Sequence, residues 1–318
     1  MPSFKNPLMQ TSPVKIAVTP PALCKSDLQR DELTRLFPNT TFNEKDCYLS
    51  ESELIDFLQD VDGAIIGRDP VNENVLKSLS RLNIIAKYGV GLDNIDQQAM
   101  RRHKVKFGWT EGVNSLSVAE LTLGFMIGLC HNTFSRGFAL KQNHWLKDGG
   151  FQLTGKTVGV IGCGHVGSQV VRLLSPFQCR ILVRDIVDKK QFCREHGATV
   201  ADLDEVVEQS DIITLHVPLT DATCNLIDKT VLSRMQPTAF LINTSRGEVV
   251  DQPALKMSLM KGIIAGAALD VFAPEPPTDA EFLSLPNLMV TPHLGGNTLE
   301  AVEAMGRSAI EHLKEFFF

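Results

Sequence analysis

Three polar side chains, Arg246, Glu275 and His293, each follow a short apolar run in the last quarter of the sequence. A histidine can give or take the proton of a substrate hydroxyl group, and a neighbouring carboxylate favours its protonated form. An arginine can hold a substrate carboxylate through two parallel hydrogen bonds. Taken singly, each residue has a structural explanation, namely a sheet-end cap for Arg246, a solvated loop charge for Glu275 and a core histidine for His293, and for an isolated histidine the structural explanation is the stronger one. Together they predict a site that moves a proton on an anionic substrate.

A glycine-rich segment, GCGHVG at residues 162–167, lies between an apolar strand pattern and a helical pattern. In this arrangement Gly162 permits a tight turn, Gly164 lets the backbone approach a pyrophosphate, and Gly167 allows close packing of helix and strand. The helix N-terminus then offers unpaired N–H groups to the phosphates. Since the strand and the helix are both in place, the segment predicts a dinucleotide site rather than a structural turn.

Asp185 ends the next apolar run, at the distance from the glycines where a carboxylate accepts hydrogen bonds from the adenosine ribose. Its charge would repel a 2′-phosphate, so the sequence favours NAD over NADP. Arg184, Lys189 and Lys190 would partly offset that repulsion, which leaves some use of NADP open.

The surrounding sequence alternates short apolar runs with amphipathic stretches, the pattern of parallel strands joined by helices. The first series occupies the N-terminal third, and the second runs from Thr157 to Pro292 with six strand candidates. Because ligands bind beyond the carboxyl ends of parallel strands, Arg246, Glu275 and His293 should face one crevice. Between the two series, a dense apolar stretch from Ser115 to about Lys141 predicts one long helix, and Leu299 to Phe318 predicts another.

Composition narrows the class of protein further. The 318 residues suggest about two domains, and 43% hydrophobic with 21% charged residues is typical of a globular protein. A net charge of −6 gives no attraction to nucleic acid or anionic lipid. Seven scattered cysteines disfavour disulfides and zinc, so we expect no metal. Without a signal peptide or a membrane-length apolar run, we expect a cytoplasmic enzyme with no membrane partner.

Seven further motifs give the chain a specific resemblance. They are KYGVGLDNID (87–96), SVAE (117–120), the glycine segment with Asp185, HVPLT (216–220), NTSRGEVVD (243–251), ALDVF with EPP (268–277) and TPHLGG (291–296). In this order the chain resembles the D-isomer-specific 2-hydroxyacid dehydrogenase family, most closely its phosphoglycerate-dehydrogenase-like branch. The resemblance implies an NAD-dependent oxidoreductase acting on a small D-2-hydroxy acid or its 2-keto acid, with 3-phosphoglycerate among the candidates.

The resemblance also implies residue roles. Arg246 would bind the substrate carboxylate, His293 would be the acid/base, and Glu275 would be its partner. Asp270 would hold the nicotinamide carboxamide, and the backbone of Tyr88, Gly89 and Val90 would hold the substrate. The remaining cofactor contacts are assigned within the same motifs to His165, Val166, His216, Pro218, Thr244, Ser245, Gly295 and Gly296.

The family fold consists of two doubly wound parallel-sheet α/β domains, a flavodoxin-like substrate domain and a Rossmann NAD-binding domain inserted in it. Applied here, it predicts a substrate domain at 1–110 and 297–318, an NAD domain at 111–296, and no appended regulatory domain. A homodimer formed through the apolar helix and its flanks is also implied, although that helix would be equally well explained as buried within one subunit.

Several departures from the family pattern leave the substrate open. WTEG (109–112) replaces a usual NTPG, so Trp109 and Glu111 either reshape the pocket mouth or repack the hinge. Arg68 and Lys87 are further candidates for substrate contact, and a solvated charge explains Arg68 equally well. A competing class is an NAD(H)-sensing binding protein, since corepressors resembling the family share its fold. The hypothesis of a formate-dehydrogenase-like activity has less support, because that branch of the family pairs its histidine with glutamine, whereas this chain has Glu275.

Overall fold

The computed structural model describes residues 14–318, which form two compact units. One unit contains the described residues as far as Asn114 together with Leu299–Phe318, and the other contains Ser115–Thr298. The predicted boundaries, 110/111 and 296/297, lie a few residues from these positions. The assignment of substrate and NAD binding to the two units stays a prediction.

The first unit is built on a five-stranded parallel sheet with the order β2-β1-β3-β4-β5. Its elements up to residue 108 are β1 (Lys15–Val18), α1 (Pro21–Cys24), α2 (Asp27–Leu36), β2 (Asn39–Phe42), α3 (Glu51–Leu58), β3 (Gly63–Ile66), α4 (Glu73–Ser78), β4 (Ile84–Lys87), α5 (Gln97–Arg102) and β5 (Lys106–Gly108). The central strands β3 and β4 are buried throughout, as expected for parallel strands covered on both faces.

The second unit is built on a seven-stranded parallel sheet with the order β12-β11-β10-β9-β6-β7-β8. Its elements are α6 (Ser115–Cys130), α7 (Thr133–Lys141), β6 (Thr157–Ile161), α8 (His165–Leu174), β7 (Arg180–Arg184), α9 (Lys190–Glu195), β8 (Ala198–Val200), α10 (Leu203–Gln209), β9 (Ile212–Leu215), α11 (Lys229–Arg234), β10 (Phe240–Asn243), α12 (Gln252–Met260), β11 (Gly266–Leu269), α13 (Ala280–Leu283) and β12 (Leu288–Val290). Short 3₁₀ turns occur at Ser175–Phe177 and Gly247–Val249. The predicted class, two doubly wound α/β sheets, is confirmed.

The last helix, α14 (Leu299–Phe317), returns the chain to the first unit. Its buried residues Ala301, Met305 and Ile310 join the apolar core on one face of the five-stranded sheet, beside Ile84 and Tyr88. The helix predicted from Leu299 to Phe318 is therefore present, and these residues form its inner face. Within residues 14–318, no helix is both long and apolar enough to cross a membrane.

Two strands, β2 and β8, were not predicted. Both are at the edge of their sheets, and their side chains alternate or remain largely exposed. An edge strand needs no continuous apolar run, so NTTF and ATV lack the run of apolar residues by which the other strands are predicted.

The predicted single helix from Ser115 to about Lys141 was wrong, because the chain breaks it into α6 and α7. Asn132 between them has a left-handed φ of 55°, a conformation that asparagine tolerates better than most residues. Helix α6 is mostly buried, with Phe125 and Met126 packed among residues of α8 and β6, whereas α7 contains no buried residue.

Candidate active site

The three catalytic candidates follow three neighbouring strands of the seven-stranded sheet. Arg246 lies in the loop after β10, Glu275 in the loop after β11, and His293 in the loop after β12. The strands are parallel, so the three loops leave the same edge of the sheet. The three residues therefore lie at one edge of the sheet, as expected from their positions after three predicted strands.

Glu275 and His293 are in direct contact. The Nδ1 atom of His293 lies 2.9 Å from Oε2 and 3.1 Å from Oε1 of Glu275. Their side chains are only 29% and 16% exposed, so the pair is shielded from bulk water on most sides. Glu275 Oε1 also accepts a hydrogen bond of 3.0 Å from the Phe272 N–H, which fixes the carboxylate within its own loop.

The loop that carries Arg246 packs tightly against the loop that carries Glu275. A Cβ atom at Gly247 would lie 2.0 Å from the carbonyl carbon of Phe272, a distance that only glycine allows. The Arg246 guanidinium donates to the Ser245 carbonyl at 2.7 Å. Because Gly247 has no side chain, the residue that follows Arg246 can pack directly against the backbone of Phe272, three residues before Glu275.

Asn243 braces the Arg246 loop, and sequence reasoning did not assign it a role. Its Nδ2 donates to the Arg246 carbonyl at 2.7 Å, while its Oδ1 accepts from the Ser245 N–H at 3.0 Å and the Ser245 hydroxyl at 2.8 Å. The side chain is fully buried at the end of β10. The sequence did contain one signal for this role, namely an asparagine at the end of an apolar strand and at the start of NTSRG. Ser245, predicted to contact the cofactor, is thus bonded to its own loop.

Asp270 directly follows the buried strand β11 and is only 1% exposed. Its carboxylate accepts from the Thr291 hydroxyl at 2.6 Å, the Leu294 N–H at 2.7 Å and the Gly295 N–H at 2.8 Å. All three donors belong to the loop of His293. The sequence predicts no role for Thr291, because its hydrogen bond to Asp270 joins the loop after β12 to the loop after β11.

The glycine segment turns from β6 into α8 as its spacing predicts. Gly162 has a φ of 89°, and a Cβ atom there would lie 2.5 Å from the His216 carbonyl oxygen. A Cβ atom at Gly167 would lie 2.0 Å from the Gly162 carbonyl oxygen. At Gly164 a Cβ atom would meet nothing within 4 Å. Two glycines are thus required by the protein's own packing, whereas the third borders open space.

Asp185 lies beside the glycine segment. Its Oδ2 accepts from the Cys163 N–H at 2.6 Å and its Oδ1 from the Val187 N–H at 2.8 Å. Each carboxylate oxygen can accept a second hydrogen bond. The carboxylate is therefore oriented by two backbone donors and keeps acceptor sites for a ribose.

His216 follows β9 next to the same turn. Its Nε2 lies 3.0 Å from the Thr214 hydroxyl, and its Nδ1 is buried with no hydrogen-bond partner. Burial lowers the pKa of His216 to about 3, so the ring is neutral at ordinary pH. Thr244, also assigned to the cofactor, is nearly buried and its hydroxyl lies 3.1 Å from that of Thr122.

Comparison with known proteins identifies the family. Residues 123–295, more than half of the chain, match the family model described as D-isomer specific 2-hydroxyacid dehydrogenase, NAD binding domain. The chain belongs to this family. Its predicted membership, its enzyme class as an NAD-dependent oxidoreductase acting on CH–OH groups, and NAD as cofactor are confirmed.

Curated relatives of this dehydrogenase carry different substrate names. A hydroxypyruvate reductase of Thermotoga maritima is 34% identical over 272 residues, covering 84% of this chain and 88% of that protein. A D-3-phosphoglycerate dehydrogenase of Methanocaldococcus jannaschii is 36% identical over 271 residues, again 84% of this chain. The match spans only 52% of the Methanocaldococcus protein. The family is therefore shown, and the substrate is not.

Solved structures agree with the fold of this dehydrogenase. A D-lactate dehydrogenase of Aquifex aeolicus complexed with NAD and lactic acid has 25% identity and a TM-score of 0.83, covering 95% of each chain. A 2-hydroxyacid dehydrogenase of Polaromonas, with 26% identity, has a TM-score of 0.87 and covers 96% of this chain and 97% of that one.

The residues of this dehydrogenase fit NAD. Gly164 leaves the space that a pyrophosphate needs at the N-terminus of α8, and His216 offers an unpartnered buried nitrogen beside the turn. Cys163 lies in the same turn, but burial raises the pKa of its thiol to about 11, so the thiol stays protonated and unreactive at neutral pH. Within residues 14–318, no cluster of three His, Cys, Asp or Glu residues suits a metal ion.

The residues predicted to contact the substrate through their backbone lie in the first unit. Tyr88, Gly89 and Val90 follow β4 at the carboxyl edge of the five-stranded sheet, and Gly89 has a φ of 99°. Lys87 is only 4% exposed and its ammonium donates to the Gly67 carbonyl. The Arg68 guanidinium lies 5.7 Å from the centre of the Tyr48 ring. Lys87 therefore has a structural partner inside its unit, and its contact with substrate stays open.

Proposed function

We propose that this dehydrogenase interconverts a small D-2-hydroxy acid and its 2-keto acid, with His293 as the acid/base. The observation that carries the proposal is the contact of 2.9 Å between His293 and Glu275, at the sheet edge that also carries Arg246. Hydroxypyruvate, glyoxylate and 3-phosphoglycerate, the acids named for its relatives, all place a carboxylate beside the reacting carbon. These three acids and their oxidised or reduced partners form the proposed substrate class.

Arg246 is proposed to bind the carboxylate of the substrate. A guanidinium matches a carboxylate with two parallel donors and thereby fixes its orientation as well as its position. The Asn243 Nδ2 group donates a hydrogen bond of 2.7 Å to the Arg246 carbonyl, and this bond fixes the backbone from which the guanidinium extends. The substrate carbon next to the carboxylate is then confined to the space around the His293 loop.

His293 is proposed to exchange the proton of the substrate oxygen through Nε2. Since Nδ1 lies between the two oxygens of Glu275, Nδ1 carries its proton there and Nε2 is left to face the substrate. The carboxylate stabilises the imidazolium that forms when the hydroxy acid loses its proton. In the reverse direction the imidazolium protonates the oxygen of the keto acid.

The cofactor is proposed to bind along the loops of the same unit. The N-terminus of α8 at His165 and Val166 receives the phosphates, and Asp185 accepts hydrogen bonds from the adenosine ribose. Pro218, Thr244 and Gly296 are assigned to its remaining surface. When bound, NAD takes or gives the hydride at the substrate carbon.

We also propose that the enzyme is a cytoplasmic homodimer. Helix α7 contains no buried residue, and the segment around it exposes Phe138 by 62% and Trp145 by 73%. Aromatic side chains exposed to this extent are typical of an interface. All seven cysteines are free, which suits a reducing compartment. Light scattering of the purified protein tests the dimer, and a monomeric mass would contradict it.

Turnover of the purified protein tests the activity. NADH absorbance is followed with glyoxylate, hydroxypyruvate, 3-phosphohydroxypyruvate and pyruvate in turn, and the loss of NADH must match the hydroxy acid formed. We expect turnover with at least one of the first three acids. Tight NADH binding with no turnover on any of them would contradict the proposal and favour an NAD(H)-sensing protein.

A further inference from the structure

His293 has a backbone conformation that needs support from its surroundings. Its φ of 54° is in the left-handed region, which few residues other than glycine adopt readily. Such a conformation persists when neighbouring groups fix it. The neighbours on both sides, residues 291–295, therefore decide where the imidazole ring points.

Asp270 bonds to this loop at four places. Its carboxylate receives the Thr291 hydroxyl at 2.6 Å and the N–H groups of Leu294 at 2.7 Å and Gly295 at 2.8 Å. Its backbone carbonyl receives the His293 N–H at 2.8 Å. The four donors come from both sides of His293 and from His293 itself. One buried residue directly after β11 thus ties the whole turn to the sheet.

A carboxylate suits these donors better than an amide would. An ionised aspartate only accepts hydrogen bonds, whereas the NH₂ group of an asparagine would face one of the three donors. Hydrogen bonds to a charged acceptor are also shorter and stronger than those between neutral groups. The carboxylate has about four acceptor positions and three are used, so one remains for a cofactor amide.

Gly295 is the point of closest approach. A Cβ atom there would lie 3.0 Å from Oδ2 of Asp270, so a side chain would press on the carboxylate. The Gly295 carbonyl in turn accepts the hydroxyl of Ser117 at the start of α6. The loop is therefore fixed on one side by Asp270 and on the other by α6.

We propose that Asp270 and Thr291 are positioning residues that hold His293 in its reactive orientation toward Glu275 and the substrate. This role stands beside the contact with the nicotinamide carboxamide implied for Asp270. It rests on the proposed function of His293 as acid/base, and it assigns Thr291 a part in that reaction.

Thr291 allows the role to be tested without changing the carboxylate. Thr291→Val removes one hydroxyl donor at nearly constant volume, and we expect kcat to fall about 10- to 100-fold, the usual range for losing a hydrogen bond to a charged group. NADH affinity should stay within about twofold of the wild type, because the change removes orientation rather than a cofactor contact. Thr291→Ser retains the hydroxyl and should restore most of kcat.

A matched control removes another buried hydroxyl from the same unit. Ser258 in α12 is 3% exposed and donates to the Ala254 carbonyl at 2.8 Å, away from the three catalytic loops. Ser258→Ala should leave kcat unchanged. An equal loss of kcat in both variants would mean that general loosening of the unit is responsible, and the proposal would be wrong.

Amide hydrogen exchange gives a readout that does not need turnover. In Thr291→Val and in Asp270→Asn, the peptide covering residues 291–298 should exchange faster than in the wild type, while peptides of β6 and β9 should not change. Absence of turnover in the wild type would refute the proposed function. The exchange data would still show whether Thr291 and Asp270 stabilise the loop of residues 291–298. Unchanged exchange in both variants would overturn the proposal, as would weakened NADH binding at unchanged kcat.

Discussion

The Glu275 carboxylate holds the Nδ1 side of the His293 ring between its two oxygens, at 2.9 and 3.1 Å. The two residues are 18 positions apart and belong to loops that follow adjacent strands, β11 and β12. Their contact depends on the sheet register rather than on local sequence. In the proposed reaction the other ring nitrogen, Nε2, exchanges the proton with the substrate.

His293→Ala should remove the proton exchange while leaving the glycine segment and Asp185 intact. We expect kcat to fall about 10²–10⁴-fold, the usual contribution of general acid/base catalysis. The Kd for NADH, measured by fluorescence titration, should change little. His103→Ala, which breaks another histidine–glutamate pair, with Glu73 in the first unit, is the control. Wild-type turnover in His293→Ala would exclude this residue as the acid/base.

Gly164→Ala and Gly167→Ala should affect different properties, the first the affinity for NADH and the second the stability of the fold. Gly164 borders open space, so its alanine variant should keep the wild-type Tm but lose NADH affinity by about tenfold or more. A Cβ atom at Gly167 would lie 2.0 Å from the Gly162 carbonyl oxygen, so that variant should lose about 1–3 kcal/mol of stability. Thermal unfolding and NADH titration separate the two effects. Wild-type NADH affinity in Gly164→Ala would place the phosphates elsewhere.

Asp185→Ala should weaken NADH binding and narrow the preference for NADH over NADPH. The variant loses an acceptor for the ribose, which costs about 1.5–3 kcal/mol for a charged acceptor, and it removes the repulsion of a 2′-phosphate. Calorimetric titration with both dinucleotides measures the two affinities. Asp188→Ala is the control, because Asp188 is exposed on the same loop. An unchanged ratio of the two affinities would argue against Asp185 as the ribose ligand.

His216 should make the protein less stable in acid. Burial lowers the pKa of His216 in the folded state to about 3, whereas in the unfolded chain it titrates near its ordinary value of 6.5. Between these values the unfolded state binds the extra proton, so stability falls as the pH drops below about 6.5. From pH 7 to pH 5 this amounts to about 2 kcal/mol.

Urea unfolding of the wild type and of His216→Gln at both pH values measures this term. The variant should lose less stability than the wild type over the same pH change. Equal losses would show that the acid sensitivity comes from other groups. Cofactor binding is not needed for the measurement, since only the free energy of unfolding is compared.

Much of the candidate site is recognisable in the sequence, because its signals are local. The glycine segment, Asp185 and the polar residues that end buried strands are each recognisable within a few positions. Asn243 and Thr291 were missed because their importance lies in hydrogen bonds between or within loops, which leave no periodic trace. The break at Asn132 was missed because α7, although less apolar than α6, still carries Phe134 and Phe138 at helical spacing, so the helical pattern is continuous in the sequence.

Helix α14 has a consequence for how the molecule is synthesised. It supplies Ala301, Met305 and Ile310 to the core of the first unit, yet it follows the entire second unit in the chain. A growing chain on the ribosome therefore completes the seven-stranded sheet before the five-stranded sheet can cover one of its faces. The apolar core on that face of the five-stranded sheet therefore stays incomplete until the whole seven-stranded sheet has been synthesised.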